Sequence, residues 1–491
     1  MEELIMLNCL LILPVLLPIV LALIWRGMGL KGRALNAATL GTILLSAALA
    51  AVNALLPETG EITLRWTDLL ALTLRVDGMS RVYLLLIAVI WPGVGLYATE
   101  YLEHDKNPGR FYMFYTITQG ILHALSVSGN LVTFYMFYEA MTLLTVPLVL
   151  HNMDKEAVAA AIKYLIYSVI GASAALIGIF FVGSVGGTGD FVAGPLTAEQ
   201  LAGKESLALA IFLVMLMGFG VKAGMFPLHG WLPTAHPVAP APASAVLSGV
   251  ITKMGVLGAV RVLYSVAGAQ RLRGTWVQMT LLALSLITIL MGSLLAFKEK
   301  KLKKRLAYSS VSQVSYVLFG LFTMTEVGFV GAVLHVIFHS LMKNTLFMGA
   351  GSIIHKTEKT RVEELDGLGR QMPWTYAFFT VASLGLVGIP PTGGFISKWN
   401  LAQGALATGI SYSWVGPTAL LISAVLTAAY LFTIVIRGCF PGESYVPGPR
   451  CEAGWRMLLP MGAYAALIVL LGVFSGGMID HLSALAAALM G

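Results

Sequence analysis

The sequence predicts an all-α polytopic membrane protein with about 14 transmembrane helices. Three observations predict this class. Hydrophobic residues make up 57% of the 491 positions and charged residues 11%, whereas soluble domains carry about 25% charged residues. Apolar stretches of about 20 residues, enough to cross a bilayer, recur along the whole chain. The polar gaps between them are too short for an independently folded soluble core.

Length and apolar content define the predicted spans. In chain order they lie near residues 4–25, 35–56, 79–99, 111–128, 130–150, 158–184, 207–226, 242–266, 276–297, 307–325, 327–354, 374–407, 415–437 and 457–476. The seventh and twelfth spans are interrupted. Residues 478–490 either extend the last span or lie at the interface. Residues 61–76 alternate apolar and polar side chains, which predicts a small external hairpin.

The distribution of Lys and Arg among the loops predicts the orientation of the chain. The net charge is +7, and most loop cations follow odd-numbered spans, with the densest cluster at 298–305. Basic loops face the cytoplasm, so we expect a prokaryotic cell (inner) membrane protein with both termini outside. Glu2 and Glu3 stand where a cleaved signal peptide has basic residues, so the first span is expected to be retained. The cations lie in short loops, which indicates the lipid bilayer and not nucleic acid as their partner.

The sequence offers no motif for a cofactor or a metal. Its three cysteines, Cys9, Cys439 and Cys451, form no CxxC pair. It contains no P-loop, dinucleotide fingerprint or haem attachment motif. We therefore expect no cofactor and no metal in this chain, and we expect any redox reaction to belong to partner subunits.

A lysine next to a helix break is the strongest functional signal. Lys222 lies in the apolar stretch 207–226, and Pro227 interrupts the helix just beyond it. A lysine at bilayer depth costs about 3 kcal/mol even on insertion scales, so it marks a functional site. A broken helix at that depth is stable only where protein or water satisfies its backbone. Together these features predict an ion path, with His229 and His236 as supporting residues at the break.

A second break interrupts the twelfth span at 388–394, a run of Gly, Pro and Thr. Two interrupted spans in the two halves of a transporter indicate inverted repeats, with the ion path at their breaks. The match is imperfect, because Lys222 precedes its break whereas Lys398 follows the other. Lys398 either ends the proton path or anchors its helix at the interface beside Trp399.

Glu139 is an acidic residue well inside a predicted span, and its expected partner is a buried lysine, with Lys222 the first choice. A carboxylate beside a lysine favours the charged ammonium, so moving the carboxylate away favours proton release. The pair is therefore interpreted as a proton switch. The alternative is a static salt bridge that fixes helix packing. Lys163, close to the start of its span, is interpreted as a supporting or snorkelling residue.

Lys253 lies mid-span with no acid near it in sequence, and a buried lysine without a fixed partner titrates readily. The alternative is a lysine that snorkels to the interface. His335, His339 and Lys343 are spaced i, i+4 and i+8, so they share one stripe of a helix. Histidine titrates near neutral pH, which predicts a proton ladder. Zinc binding by the histidines and a purely structural role are the alternatives, although HExxH is absent and Lys343 would repel a cation.

Four motifs give the chain a resemblance to a known family. They are KAGMFPLHGWLPTAHPVAPAPASAVLS at 222–248, KRLAYSSVSQ at 304–313, HxxxHxxxKxxLF at 335–347 and GIPPTGGFISK at 388–398. The chain resembles the antiporter-like proton-translocating subunits of respiratory complex I, of Mrp cation/proton antiporters and of group 4 membrane-bound hydrogenases. The similarity extends over essentially the whole chain.

The resemblance implies 14 helices in a single membrane domain with two inverted five-helix repeats, each containing a discontinuous helix. The implied boundaries are N-terminal helices at 1–105, a first repeat at 106–270, a second repeat at 271–440 and a C-terminal helix at 441–491. The implied proton path runs through Glu139, Lys222, Lys253, His335, His339, Lys343 and Lys398.

Two positions depart from the family pattern. Ser340 stands where the family usually has alanine, and Lys398 where one branch has glutamate. The size of the chain and the sequence at 395–399 resemble most the D-type subunit of Mrp antiporters or its counterpart in Mrp-derived hydrogenases.

Three functions remain open at this point. In the first, protons, with or without coupled sodium, cross through this subunit of a larger complex. Its partners would be other antiporter-like and small membrane subunits, with or without hydrophilic redox subunits. In the second, the chain alone is a cation/proton antiporter or solute transporter, although its buried charges form one titratable chain and no obvious solute pocket. In the third, the charges only lock a membrane scaffold together.

Overall fold

The computed structural model describes residues 2–67, 69–442 and 448–490 and is mostly helical, which confirms the predicted all-α class. The elements are α1 (Glu2–Gly27), α2 (Gly32–Leu55), β1 (Glu61–Arg65), β2 (Ala71–Arg75), α3 (Gly78–Tyr101), α4 (Pro108–Ser126), α5 (Leu131–Val149), α6 (Lys155–Ser184), α7 (Glu205–Ala223), α8 (Leu232–Val238), α9 (Ala241–Val246), α10 (Thr252–Val260), α11 (Ala269–Leu272), α12 (Trp276–Lys298), α13 (Leu302–Phe322), α14 (Glu326–Thr357), α15 (Leu368–Gln371), α16 (Pro373–Val387), α17 (Gly393–Leu406), α18 (Val415–Cys439), α19 (Trp455–Val473) and α20 (Gly476–Met490).

The chain divides into two compact units. Unit 1 comprises Met1–Gly95, Leu102–Lys222 and Met254–Leu272, and unit 2 comprises Leu96–Tyr101, Ala223–Lys253 and Arg273–Gly491. In unit 1, α4 packs against α1, α2 and α5, and α5 packs against α6. In unit 2, the 32-residue helix α14 packs against α13, α16, α17, α19 and α20. Nearly all of α14 is buried, so its polar side chains lie in the interior of unit 2.

The number of spans is not settled by length and composition. Among the described helices, eleven are long and apolar enough to cross a membrane. Helices α4 and α13 coincide with predicted spans but carry many polar side chains, and the halves α16 and α17 are each short. The figure of about 14 therefore stays a prediction. Residues 476–490 form a separate helix, α20, after α19 ends at Val473.

Both predicted helix breaks are present. The seventh span ends at Ala223, Gly224 adopts φ +80°, and the short α8 starts at Leu232. The twelfth span ends at Val387, Gly388 adopts φ +93°, and α17 starts at Gly393. Glycine adopts these left-handed conformations without the steric cost of a side chain, so each helix can stop inside the membrane.

The span at 241–267 contains a feature that the sequence analysis did not predict. Two π-helical turns, Leu247–Ile251 and Arg261–Ala267, flank the α-helical stretch α10. A π-helical turn widens the helix and leaves its carbonyls less regularly paired, and such turns are frequent at functional sites. Lys253 lies two residues after the end of the first of them.

The predicted hairpin at 61–76 is confirmed. Strand β1 pairs antiparallel with β2, and both strands belong to unit 1. The Arg75 guanidinium contacts Glu61 at 2.6 Å and Asp190 at 3.0 Å. It thereby links the hairpin to the loop after α6. The backbone N–H of Thr73 donates to Thr133 Oγ1 (2.8 Å), which holds β2 against the start of α5.

An ion pair between a buried arginine and a partly exposed aspartate follows the hairpin in unit 1. The Arg261 side chain is 2% exposed and contacts Asp77, with Nη2 3.0 Å from Oδ1. The backbone N–H and the hydroxyl of Ser80 also donate to Asp77 Oδ1. Burial raises the pKa of Asp77, but the charge and hydrogen bonds of Arg261 lower it further, so this pKa lies below its usual 3.8.

Candidate functional site

Lys222 lies in the last turn of α7 and is 1% exposed. Its Nζ donates to three hydroxyl oxygens, Thr142 Oγ1 (2.8 Å), Ser168 Oγ (2.8 Å) and Tyr164 Oη (3.0 Å). The Tyr164 ring also faces the ammonium, 4.5 Å from its centroid. An ammonium has three N–H donors, so three neutral acceptors suit its protonated form. These groups solvate the lysine in place of water.

Glu139 lies on α5, one turn before Thr142 and on the same face. It is half-buried, and its Oε1 is buried without a hydrogen-bond partner among the described residues. Its charge is near enough to act on Lys222. The expected Glu139–Lys222 ion pair stays a prediction, and Thr142 is the residue of α5 seen to accept a hydrogen bond from the lysine.

Lys163 precedes Tyr164 on α6 and is half-buried. Its Nζ lies 5.8 Å from the centroid of the Tyr167 ring. The side chain therefore follows the surface of α6, while Tyr164 and Ser168 of the same helix contact Lys222. The supporting or snorkelling role of Lys163 stays a prediction.

Lys253 is fully buried in α10, and its position within unit 2 brings it to α14. Its Nζ lies 2.7 Å from His339 Nδ1 and 3.3 Å from Thr252 Oγ1, and it donates to the carbonyl of Ser248. That carbonyl belongs to the π-helical turn Leu247–Ile251. The lysine and the histidine thus form a direct contact between two titratable groups.

His335 lies one turn before His339 on α14, with 5.7 Å between ring centroids. His335 Nε2 lies 3.2 Å from Gln313 Oε1, and Nδ1 lies 2.9 Å from Ser397 Oγ. An amide oxygen only accepts, so Nε2 carries the proton of the neutral ring, and Nδ1 of that ring can accept from Ser397, whose hydroxyl can instead donate to the Gly394 carbonyl at 3.1 Å. A second proton on Nδ1 would reverse that hydrogen bond. His335 can therefore hold either protonation state without losing a partner.

Lys343 is connected to further hydroxyls of unit 2. Its Nζ donates to Ser309 Oγ (2.7 Å), and Tyr430 Oη donates to the same oxygen (2.8 Å). Tyr430 Oη also lies 3.3 Å from Thr427 Oγ1, to which Gln313 Nε2 donates at 3.4 Å. A continuous row of polar groups thus leads from Lys343 to the amide that contacts His335.

Four residues of this row were missed by the sequence analysis: Ser309, Gln313, Thr427 and Tyr430. Ser309 and Gln313 are spaced i, i+4 inside a predicted span, and a polar stripe on a membrane helix is a usable signal. Thr427 and Tyr430 lie in the more apolar α18, where neither residue type stands out. Only the packing of α18 within unit 2 reveals that they contact Ser309 and Gln313.

Lys398 joins the two halves of the broken twelfth span. Its Nζ donates to the carbonyl oxygens of Leu386 (2.6 Å) and Val387 (3.0 Å), the last residues of α16. Carbonyls at a helix C-terminus lack intrahelical partners and carry partial negative charge, so a cation is favourable there. The Tyr316 ring lies 5.0 Å from the ammonium and 5.6 Å from the His335 ring. Tyr316 therefore separates Lys398 from the histidines.

His229 and His236 both lie near the first break, in unit 2. His229 is half-buried and stacks on Phe226 with 6.1 Å between ring centroids. His236 is fully buried and stacks on Phe347 at 4.6 Å. Neither ring nitrogen of His236 has a hydrogen-bond partner in the described part of the chain. Three lysines, Lys303, Lys343 and Lys253, are near enough for their charges to act on its ring.

The contacts of the histidines bear on zinc binding. Within the described ranges, no group of three or more His, Cys, Asp or Glu side chains could hold a metal ion. His335 uses both ring nitrogens on Gln313 and Ser397, and His339 faces the Lys253 amine. An ammonium at that position opposes a zinc ion at His339.

Comparisons with known proteins place the chain among ion-translocating membrane subunits. The family model described as NADH:quinone oxidoreductase/Mrp antiporter, TM, matches residues 128–427. NADH-quinone oxidoreductase subunit N of Desulforudis audaxviator is 31% identical over 431 residues, covering 85% of each chain. Hydrogenase-4 component B of Escherichia coli is 32% identical over 423 residues, covering 82% of this chain and 62% of that protein.

A solved structure shares the fold. A chain of the Mrp complex from Dietzia sp. superposes with a TM-score of 0.84 at 21% identity, covering 99% of this chain and 98% of that chain. The matched family region, residues 128–427, includes each of the titratable groups described above from Glu139 to Lys398.

Proposed function

Because the chain belongs to the NADH:quinone oxidoreductase/Mrp antiporter family, we propose that it translocates protons across the membrane as an antiporter-like subunit of a multisubunit complex. Protons move along Glu139, Lys222, Lys253, the histidines 335 and 339, Lys343 and Lys398. The order of these groups is the one implied by the family resemblance. The driving force arrives from a neighbouring subunit.

The contact between Lys253 and His339 is the observation that carries this proposal. Their nitrogens lie 2.7 Å apart, and both side chains are fully buried. Only one proton fits on the line between them, so each group's protonation state constrains the other's. A purely structural contact needs no second titratable group, because a neutral amide or hydroxyl oxygen accepts the lysine's hydrogen bond equally well. Transfer of a proton between them is the function that the contact suits.

The Lys222 cluster supplies the second part of the mechanism. Three hydroxyls solvate the protonated lysine, and the carboxylate of Glu139 adds favourable charge. A rearrangement that moves Glu139 away would favour release of the proton from Lys222. In this proposal Glu139 and Lys222 form the switch, and Lys163, His229 and His236 support the path. A static salt bridge is the competing explanation, and it predicts lost assembly in Glu139 variants in place of lost transport.

The repeat organisation is part of the same proposal. We take residues 106–270 and 271–440 as two inverted repeats, with N-terminal helices at 1–105 and a C-terminal helix at 441–491. The two helix breaks, at 224–231 and 388–392, support this division, because paired interruptions are typical of inverted repeats around an ion path. We propose a prokaryotic inner membrane with both termini outside, and the clustered cations at 298–305 support a cytoplasmic position of that loop.

The relatives' names suggest the kinds of partner. Subunits of NADH-quinone oxidoreductase, of hydrogenase-4 and of Mrp work beside other membrane subunits, and we propose the same for this chain. A pull-down of the native complex in mild detergent, with subunits identified by mass spectrometry, distinguishes the settings. Hydrophilic redox subunits would indicate a redox-driven pump, small membrane subunits alone would indicate a cation/proton antiporter, and no partner would favour a standalone transporter.

The transport step is tested with Lys253→Ala in the native complex, reconstituted in liposomes with and without a sodium gradient. We expect proton transport to be abolished while the complex assembles normally. His123→Gln is a matched control, because His123 is equally buried but contacts Pro14 and Ser46 in unit 1. Unchanged proton transport in Lys253→Ala would overturn the mechanism, and failure to assemble would favour the scaffold.

A further inference from the structure

A basic pocket of about 380 Å³ lies in unit 2 where α12 ends and α13 begins. It is separate from the proton path described above. The polar side chains that line it are Lys298, Glu299, Lys300, Lys301, Tyr308 and Arg361. Five of these six carry a charge, and four of those five are cations, so the pocket suits an anion.

The backbone of the pocket is fixed by hydrogen bonds. The N–H of Leu302 donates to the Thr360 carbonyl (2.9 Å), and the N–H of Val362 donates to the Lys300 carbonyl (3.0 Å). In addition, Arg305 Nε donates to the Glu299 carbonyl at 2.8 Å. The segments 299–302 and 360–362 are thereby held together as one rim. The cations are presented by a preformed loop, which lowers the ordering cost of binding.

The acidic side chains of this rim are already engaged. Glu299 pairs with Lys304 at 2.9 Å, and Glu363 pairs with Lys300 at 2.8 Å. In the described part of the chain, the ammonium groups of Lys298 and Lys301 form no ion pair, and both side chains are exposed. The Tyr308 hydroxyl adds a neutral donor at the pocket wall. Two cations therefore remain for an external anion.

The level of the pocket in the bilayer identifies the kind of anion. Helix α12 has 23 residues and strongly apolar composition, and at 1.5 Å per residue it spans about 35 Å, slightly more than the hydrocarbon core. Its last residue, Lys298, thus lies at the level of the lipid headgroups. Leu294, one turn earlier, and Phe297, the residue directly before Lys298, are 47% and 48% exposed. An anionic site and an apolar surface adjoin, as an amphiphile requires.

We propose that this pocket binds the phosphodiester headgroup of an anionic phospholipid, with Lys298 and Lys301 contacting the phosphate and an acyl chain lying along Leu294 and Phe297. Basic pockets between transmembrane helices on the cytoplasmic side are suited to such headgroups. The bound lipid joins the end of α12 to the 360–362 segment. An acidic segment of a neighbouring subunit fits less well, because it would leave the exposed apolar turn of α12 uncovered.

The test measures binding of dioleoyl phosphatidylglycerol to the delipidated native complex, with dioleoyl phosphatidylcholine as the neutral lipid. We expect phosphatidylglycerol to bind and phosphatidylcholine not to bind at this site. In Lys298→Gln/Lys301→Gln the affinity for phosphatidylglycerol should fall about thirtyfold, because each of the two cations adds a similar factor to the binding of anionic lipid. In Lys298→Arg/Lys301→Arg, which keeps both charges, the affinity should be unchanged.

Lys31→Gln/Arg33→Gln is the matched control, because it removes two exposed cations at the start of α2, which we place on the same side of the membrane. It should bind phosphatidylglycerol like the unaltered protein. Equal weakening in both double variants would overturn the site and indicate a general charge effect. Displacement of the lipid by equimolar inorganic phosphate would identify a free-anion site. A crosslink from position 301 to another subunit would identify a protein partner. Either result would overturn the proposal.

Discussion

The Nζ atom of Lys253 lies 2.7 Å from the Nδ1 atom of His339, in the interior of unit 2. If the lysine is charged, Nδ1 must accept, so the ring is neutral with its proton on Nε2. If the ring carries the proton on Nδ1, the lysine must be the neutral acceptor. The contact therefore favours one shared proton. A proton that reaches Lys253 needs one further transfer to reach His339 of α14.

Replacing His339 by glutamine should abolish this transfer. Glutamine retains a polar side chain but does not titrate, and a positioned acid–base group contributes about a hundredfold or more to rate. We expect the rate of proton transport in liposomes to fall about a hundredfold or more, while the complex still assembles. His123→Gln, a buried histidine of unit 1, serves as control and should transport normally. Normal transport in His339→Gln would remove this histidine from the path.

Thr142→Val tests the solvation of Lys222. The substitution keeps the shape of the side chain and removes the hydroxyl that accepts from Nζ at 2.8 Å. A hydrogen bond to a charged group contributes about 2 kcal/mol, so transport should slow about thirtyfold. Thr118→Val is the control, because Thr118 is equally buried and its hydroxyl donates only within α4. Equal rates in the two variants would show that the contact is incidental.

Tyr430→Phe tests the polar row between Lys343 and Gln313. It removes the hydroxyl that contacts Ser309 and Thr427 and leaves the ring in place. We expect slower proton transport with little change in thermal stability. Tyr376→Phe is matched to it, since the Tyr376 hydroxyl is buried without a hydrogen-bond partner among the described residues. A loss of stability in Tyr430→Phe with unchanged transport would give this row a structural role.

Lys398→Met should destabilise the second break. The methionine fills a similar space but leaves the carbonyls of Leu386 and Val387 without their donor. Unsatisfied polar groups away from water cost about 2 kcal/mol, so the thermal midpoint of the purified complex should fall. Lys398→Arg, which keeps donors and charge, should restore much of the loss. An unchanged midpoint in Lys398→Met would favour an interfacial anchor beside Trp399.

Asp77→Asn should show a pH-dependent loss of stability. Removing the carboxylate leaves Arg261, 2% exposed, without its counter-ion, at a cost of about 3 kcal/mol. Because the pKa of Asp77 is lowered in the folded protein, its stabilisation is complete above the unfolded value near 3.8 and is lost as pH falls through the folded value. Thermal midpoints of the two proteins should therefore differ at pH 7 and converge in acid. A constant difference across this range would contradict the ion pair's role.

Much of this molecule follows from local sequence. Apolar stretches of bilayer length predicted the helices, because an isolated backbone in lipid must satisfy its own hydrogen bonds. The breaks at 224–231 and 388–392 were predicted from Gly and Pro, which act on the backbone locally. The hairpin at 61–76 was predicted from alternation. His335 and His339 were predicted to share a face because helical periodicity alone decides it, and their rings do lie 5.7 Å apart.

The sequence by itself thus determined the class of protein, the positions of its helices and the identity of the buried titratable residues. Only the tertiary structure decided what each of them touches. Three hydroxyls from α5 and α6 surround Lys222, Lys253 meets His339, and Tyr430 links Lys343 to Gln313. These partners are 34 to 121 positions apart, and no periodicity connects them. Charge and hydropathy are properties of single residues, whereas a proton path depends on contacts that only helix packing creates.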